Sequence, residues 1–321
     1  MQTTFNPEIR KGDFPYVLDF SGSMDIDDFT RWYSTSRNEL ESDLLEGGAI
    51  LIEGLEVTSI EKFGRIAGIM EEEFTDYIDI SYQRRRLSSN VYISTEYDAS
   101  FPIKMHNELS YANYWPSRLL FACTLPAETG GETPLADSRE VLRKIDPSIV
   151  GEFVSKKVRY VRNLHGGQGL GPSWQETFKT TDKTAVERYC VREEMRWTWK
   201  PDGGLKLEAI RPPVRRHPQT GEEVWFSVAE LYHPFHFEQE YYEALLAEAD
   251  GDEEGLPLYS SFGDGTKISN AMVEEIIGTI EKQRKLRPWK KGDMLLLDNM
   301  LASHGRMPYT GPRQILAYLC K

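Results

Sequence analysis

Strand-like runs recur along this chain without the regular strand–helix–strand alternation that builds a doubly wound parallel sheet. Ala49-Ile50-Leu51-Ile52-Glu53-Gly54 reads as a short buried strand, and Asn90-Val91-Tyr92-Ile93-Ser94-Thr95 is β-branched and aromatic throughout most of its length. Residues 101–125 read as strand, turn and strand, and the apolar runs 293–297 and 314–319 close the chain as strands. Helical spacing predicts helices over 25–45, stopped by Gly47-Gly48, and over 58–72, where Thr58 and Glu61 stand at capping-box distance. Further helices are predicted from about Ser138, over 183–190, and near 237–248 and 269–284. The order implies a β-rich α+β fold, an antiparallel core with flanking helices. From about 158 to 225 the pattern is broken by Gly166-Gly167, Gly171-Pro172, Gly203-Gly204 and Pro212-Pro213. That predicts a long turn-rich insert, a candidate lid over a site.

No linker-like tract or repeat divides the 321 residues, so one domain over 1–321 is expected. A net charge of −13 argues against a nucleic-acid or acidic membrane partner, both of which favour a basic face. Cys123, Cys190 and Cys320 form no CxxC pair, and an odd count cannot close fully into disulfides, which points to reduced thiols and a cytoplasmic protein. No signal-like N-terminus or membrane-length apolar stretch is present.

Chemistry concentrates in His106 and Glu108, two positions apart, and in His304 near the C-terminus. On a strand, residues i and i+2 share a face, so His106 and Glu108 can address one ion while Asn107 points away. A turn at Asp298-Asn299 would bring His304 in from a neighbouring strand. Two imidazoles and one carboxylate are the facial set of non-haem Fe(II) sites, and catalytic zinc uses the same donors. No HExxH helix is present. Arg313, at the start of the last strand, suits a buried anion, which it can grip bidentately, and Thr133 can donate a hydroxyl to the same anion. His165, His217, His233 and His236 read as structural, with His165 and His233 as substrate-side candidates.

Several segments together resemble the taurine dioxygenase (TauD/TfdA-like) family of Fe(II)/2-oxoglutarate dioxygenases, most closely its clavaminate synthase-like and syringomycin-hydroxylase-like branch. The metal-binding segment is similar over 91–97 and 103–111, which includes Met105-His106-Asn107-Glu108-Leu109. Gly130-Gly131-Glu132-Thr133-Pro134 resembles the cosubstrate threonine motif. Ser173-Trp174-Gln175-Glu176-Thr177-Phe178 and His217-Pro218-Gln219-Thr220-Gly221-Glu222 resemble the middle region, and 304–313 resembles the closing motif. The likeness runs from about residue 45 to the C-terminus with the motifs in order.

The resemblance implies a double-stranded β-helix (jelly-roll) core. It also implies His106, Glu108 and His304 as iron ligands, with Thr133 and Arg313 holding the distal carboxylate of 2-oxoglutarate. The expected reaction uses Fe(II), 2-oxoglutarate and O2 to hydroxylate an unactivated C–H bond of an amino-acid-like or carrier-tethered small molecule in secondary metabolism. Desaturation and epoxidation are alternative outcomes of the same chemistry. A zinc-dependent hydrolase and a non-catalytic jelly-roll binding protein are more distant ones. Glu108 stands where halogenating relatives have a small residue, which argues against halogenation. Arg306, Arg84 with its neighbours Arg85 and Arg86, and His165 are candidate substrate contacts. Departures from the family pattern fall at Glu53, Ser227-Val228 and Gln83-Arg84-Arg85.

Overall fold

The strand Gly292–Asp298 is buried at every residue, because its sheet is covered on both faces. The computed structural model describes residues 7–20, 24–71, 73, 85–88, 90–94 and 97–321. Within them, a seven-stranded sheet runs in the order Glu8–Arg10, Tyr16–Asp19, Ala49–Val57, Gly292–Asp298, Arg118–Leu125, Gln314–Cys320, Tyr92–Ile93. Its pairings are antiparallel except for that between Tyr16–Asp19 and Ala49–Val57.

Alternate residues of each strand go to opposite faces. Ile50, Ile52, Leu120, Ala122, Met294, Leu296 and Leu316 pack outward against the helices Ile26–Gly47 and Ile60–Met70 through Phe29, Leu44, Phe63 and Ile66. Their neighbours Leu51, Leu119, Phe121, Leu295, Leu297 and Ala317 pack inward, against Leu135 and Ala302 of a second, three-stranded sheet. That smaller sheet has the order Ile103–His106, Ala302–Arg306, Leu135–Asp137. The functional residues lie on it.

Boundaries follow the capping chemistry. Asp25 caps the first helix by accepting from the N–H of Asp28 at 2.7 Å. The second helix starts later than expected. Ser59, not Thr58, accepts from the N–H of Lys62, so Glu61 lies in the first turn and the capping-box spacing from Thr58 is incidental. The predicted 90–95 strand is reduced to Tyr92–Ile93, and Thr95 lies outside the described residues. A helix over Pro147–Lys156 was not anticipated.

Residues 158–225 depart most from expectation. They are not a broken, turn-rich insert. They hold the strands Val158–Leu164, Arg196–Trp199 and Leu205–Arg211, which join Leu258–Phe262 in a four-stranded sheet, and the hairpin Val214–Arg216 with Glu223–Trp225. The helices Trp174–Phe178 and Lys183–Arg192 pack on this sheet around Leu164, Trp174, Val186 and Leu207. Glycines and prolines sit at the turns, and short strands between them were masked by that density of turn residues. Cys123, Cys190 and Cys320 are buried, unbridged thiols. Among the described residues no helix is long and apolar enough to cross a membrane.

Gly48 ends the first helix at φ +74°, its N–H donating to the carbonyl of Leu44, and a Cβ there would meet Leu301 at 3.2 Å. Gly48→Ala is therefore expected to cost about 1–2 kcal/mol in left-handed backbone strain. A lowered urea midpoint at unchanged slope would register it, and an unchanged midpoint would show that the turn relaxes.

Candidate metal centre

In the small sheet His304 pairs directly across from His106, and their rings lie 4.6 Å apart. Strand Ile103–His106 ends at the first ligand, so Glu108 is not a strand residue as the i, i+2 reasoning assumed. It comes round through the turn that opens at Asn107, and Leu109 after it has φ +56°. The carboxylate reaches the same point all the same. Glu108 Oε2 lies 4.0 Å from His106 Nε2, and one ligand atom from each of His106, Glu108 and His304 lies within 4.8 Å of the others. Among the described residues this is the group of His, Cys, Asp and Glu side chains close enough to hold an ion. Glu108 and His304 are buried, and His106 is half-buried.

The donor set fits the iron that the sequence implies. His106 Nδ1–H donates to the carbonyl of Lys104 at 2.9 Å, which leaves the Nε2 lone pair facing the carboxylate. Two neutral imidazole nitrogens and one carboxylate then converge from one side.

Asn299 fixes the approach of Glu108. Its Oδ1 accepts from the N–H of Glu108 at 2.7 Å, and its Nδ2 donates to the carbonyls of Glu108 and Pro116, each at 2.9 Å. The loop 108–116 is thereby closed at its base. Asn107 donates to the Asn299 carbonyl and to Ser138 Oγ. Asp298 holds the other side of this turn, its Oδ1 accepting from the N–H groups of Met300 and Leu301. Its Oδ2 accepts from His217 Nε2 at 3.1 Å, while His217 Nδ1 accepts from the N–H groups of Gln219 and Thr220. His217 thus pins the strand that delivers His304. It is structural, as expected.

Arg313 lies in a largely desolvated position. Its Nε donates to the carbonyl of Gly131 at 2.9 Å, its guanidinium faces the Tyr309 ring, and no carboxylate of the described residues forms an ion pair with it. Burial, then the positive charge of Arg306, pull it down to about 10. A cation held this way is a ready receptor for a carboxylate. Gly131, at φ +74°, keeps that space open, since a Cβ would meet the Arg313 side chain at 3.0 Å. Two residues on, Thr133 Oγ1 accepts from Trp289 Nε1 at 3.1 Å, which leaves its O–H to donate.

The substrate-side candidates fare differently. Arg306 is buried, and its Nη1 and Nη2 donate to the carbonyls of Tyr97, Asp98 and Phe101. These two nitrogens tie residues 97–101 to the small sheet, while its buried Nε has no hydrogen-bond partner. His165 uses both ring nitrogens within its own loop, with Gly171 and Gly167. His233 is likewise engaged, with Ile268 and Phe235. Arg84 lies outside the described residues. Of the sequence departures, Glu53 on an interior strand of the large sheet pairs with Arg10 and Lys290, whereas Ser227 borders the centre.

Ser227 does so in a cavity of about 10 Å³, room for roughly one water, shared with His106, Asn107, Ser303, Trp225 and Glu230. Nothing in the local sequence marked Glu230. It is fully buried with Oε2 unpartnered, and desolvation pushes its carboxyl up to about 8. The folded chain keeps this proton after the unfolded chain has released it near 4.5. Stability is therefore expected to fall as pH rises through that window, by about 1.4 kcal/mol per pH unit from this group. Glu230→Gln should flatten the dependence, read from urea midpoints across the window. An unchanged slope would mean that Glu230 is ionised in the fold.

Comparison with known proteins agrees with this geometry. The family model described as "Taurine catabolism dioxygenase TauD, TfdA family" matches residues 13–319. The dapdiamide synthesis protein DdaC of Enterobacter agglomerans is 38% identical over 280 residues, 87% of this chain and 84% of its own length. A clavaminate synthase-like protein of Arabidopsis thaliana is 28% identical over 304 residues, 91% of this chain and 87% of its own. Among solved structures, PvcB, an Fe, α-ketoglutarate-dependent oxygenase from an isonitrile synthetic pathway, superposes with a TM-score of 0.52 at 12% identity, over 96% of this chain and 86% of PvcB. The fold is shared at that distance, and the ordered motifs carry the rest. The chain belongs to the TauD, TfdA family of Fe(II)- and 2-oxoglutarate-dependent dioxygenases.

Proposed function

We propose that this enzyme hydroxylates an unactivated C–H bond of an amino-acid-like small molecule in secondary metabolism, the molecule being either free or borne on a carrier protein. The observation that carries the reading is the convergence of His106, Glu108 and His304 within 4.8 Å, in a fold that also holds a half-buried Arg313 without a carboxylate partner. The likeness to a dapdiamide synthesis protein supports the substrate class.

Iron bound together with 2-oxoglutarate and dioxygen would supply the oxidising power for this reaction. The chain supplies placement. His106, Glu108 and His304 are the residues that would hold the ion. Arg313 would grip the distal carboxylate of 2-oxoglutarate, and the Thr133 hydroxyl would donate to it. Asn299 keeps Glu108 from swinging away, and Phe121, 5.3 Å from the His304 ring, closes the apolar side. Phe121 and Met105 help exclude water from the reacting centre. In our reading residues 158–225 serve as a fixed wall of the site in place of a mobile lid. Trp225 from that segment packs in one core with Met105 of the ligand strand.

An anaerobic titration of the Fe(II)-loaded protein with 2-oxoglutarate is expected to give a weak visible charge-transfer band, and substrate is expected to stimulate succinate release. Absence of both would sink the assignment. His304→Ala should abolish both signals. Arg313→Gln should keep the band but raise the 2-oxoglutarate concentration needed on the order of a hundredfold, from the lost charge-assisted pair. Unchanged affinity would remove Arg313 from the cosubstrate site.

A further inference from the structure

The loop 108–116, which starts at the metal carboxylate and is closed by Asn299, carries two aromatic rings that each take an arginine. The Arg162 guanidinium lies 5.5 Å from the Tyr111 ring, and that of Arg215 lies 4.5 Å from the Trp115 ring. Arg215 also lies 6.0 Å from Phe226. The residues either side of Phe226, Trp225 and Ser227, line the small cavity beside His106. Arg215 therefore touches both the loop begun by Glu108 and the turn that borders His106.

Its hydrogen bonding is incomplete in a specific way. Nε and Nη2 of Arg215 are both buried, and neither has a partner. These two N–H groups point the same way along one edge of the guanidinium and form the fork that a carboxylate takes bidentately. Arg211, buried and close enough to repel it, uses Nη1 and Nη2 on the backbone carbonyls of Ile210 and Glu193, and its Nε is also unpartnered. The Glu193 carboxylate forms its ion pair with Arg192, at 3.0 Å, and together with Glu194 offsets only part of the charge of Arg211. Burial is the first cause, and for Arg215 the neighbouring Arg211 the second, that lowers the pKa of both guanidinium groups. Arg215, for which no carboxylate offsets either its burial or the neighbouring Arg211, bears a desolvation cost that a bound anion would remove. Stacking on Trp115 offsets only part of it.

We propose that the Nε–Nη2 edge of Arg215, backed by Arg211, is the subsite for a carboxylate of the organic substrate. The proposal rests on the oxygenase reading and adds to it the chemical class of the substrate and the residue that selects it. It is separate from the Arg313 position, which serves the cosubstrate.

The test is calorimetric titration of the anaerobic Fe(II)·2-oxoglutarate enzyme with a panel of N-acetyl-L-amino acids and their C-terminal amides. The acids are expected to bind at least roughly tenfold more tightly than the matched amides. Arg215→Gln should erase that preference. Arg215→Lys should restore it only in part, because an ammonium lacks the fork. The 2-oxoglutarate charge-transfer titration should be the same in Arg215→Gln as in the wild type, which also shows that the variant is folded. Equal binding of acids and amides, no binding of either, or a preference that survives in Arg215→Gln would overturn the proposal. So would loss of the 2-oxoglutarate band in that variant. A wild-type acid preference without any charge-transfer band would instead sink the oxygenase reading and leave this subsite standing.

Discussion

The pairing of His304 opposite His106 in a three-stranded sheet, with Asn299 bonded to both main-chain groups of Glu108, is the constraint on which the centre depends. Strand pairing sets two imidazoles side by side without help from their own side chains. The carboxylate has no such support, since its strand has already ended, so a side-chain amide stands in for the missing ladder. Asn299 in turn is placed by the turn that Asp298 and His217 hold. The ligand geometry is thus transmitted from a hairpin in residues 214–225 through a buried His–Asp contact to the strand that bears His304.

The large sheet makes this rigidity possible. Its inward face packs on Leu135 and Ala302 of the small sheet, and its outward face on two long helices, so neither sheet can shift without opening a core. Against that background the molecule retains several buried polar groups whose needs the protein alone does not meet. Arg215 and Glu230 have buried polar atoms without partners, and Arg313 sits in low-dielectric surroundings without a carboxylate. Such groups destabilise a fold, and they lie around one centre, where binding can compensate.

Much of this was legible in the sequence. The apolar runs at 49–54, 293–297 and 314–319 gave the central strands, because burial on both faces leaves no room for polar alternation. The family resemblance, carried by motifs in order, pointed to His106, Glu108 and His304 as a donor set, and the fold brings those three together. Residues 158–225 misled, because glycine and proline at closely spaced turns hide strands of three to seven residues. Arg306 shows a different limit. Its charge suggested a ligand contact, and only tertiary packing shows it bound to three backbone carbonyls.

Sequence by itself therefore determined which atoms are available for chemistry and which runs must be buried, since both are properties of residue type. Tertiary structure decided how those atoms meet. It brought Glu108 in through a turn rather than along a strand, made Asn299 its clamp, and left the fork of Arg215 unpaired beside the loop that Glu108 begins. The physical reason is that a hydrogen bond or a desolvated charge depends on partners nearly two hundred residues away in some cases, and no local pattern encodes such a meeting.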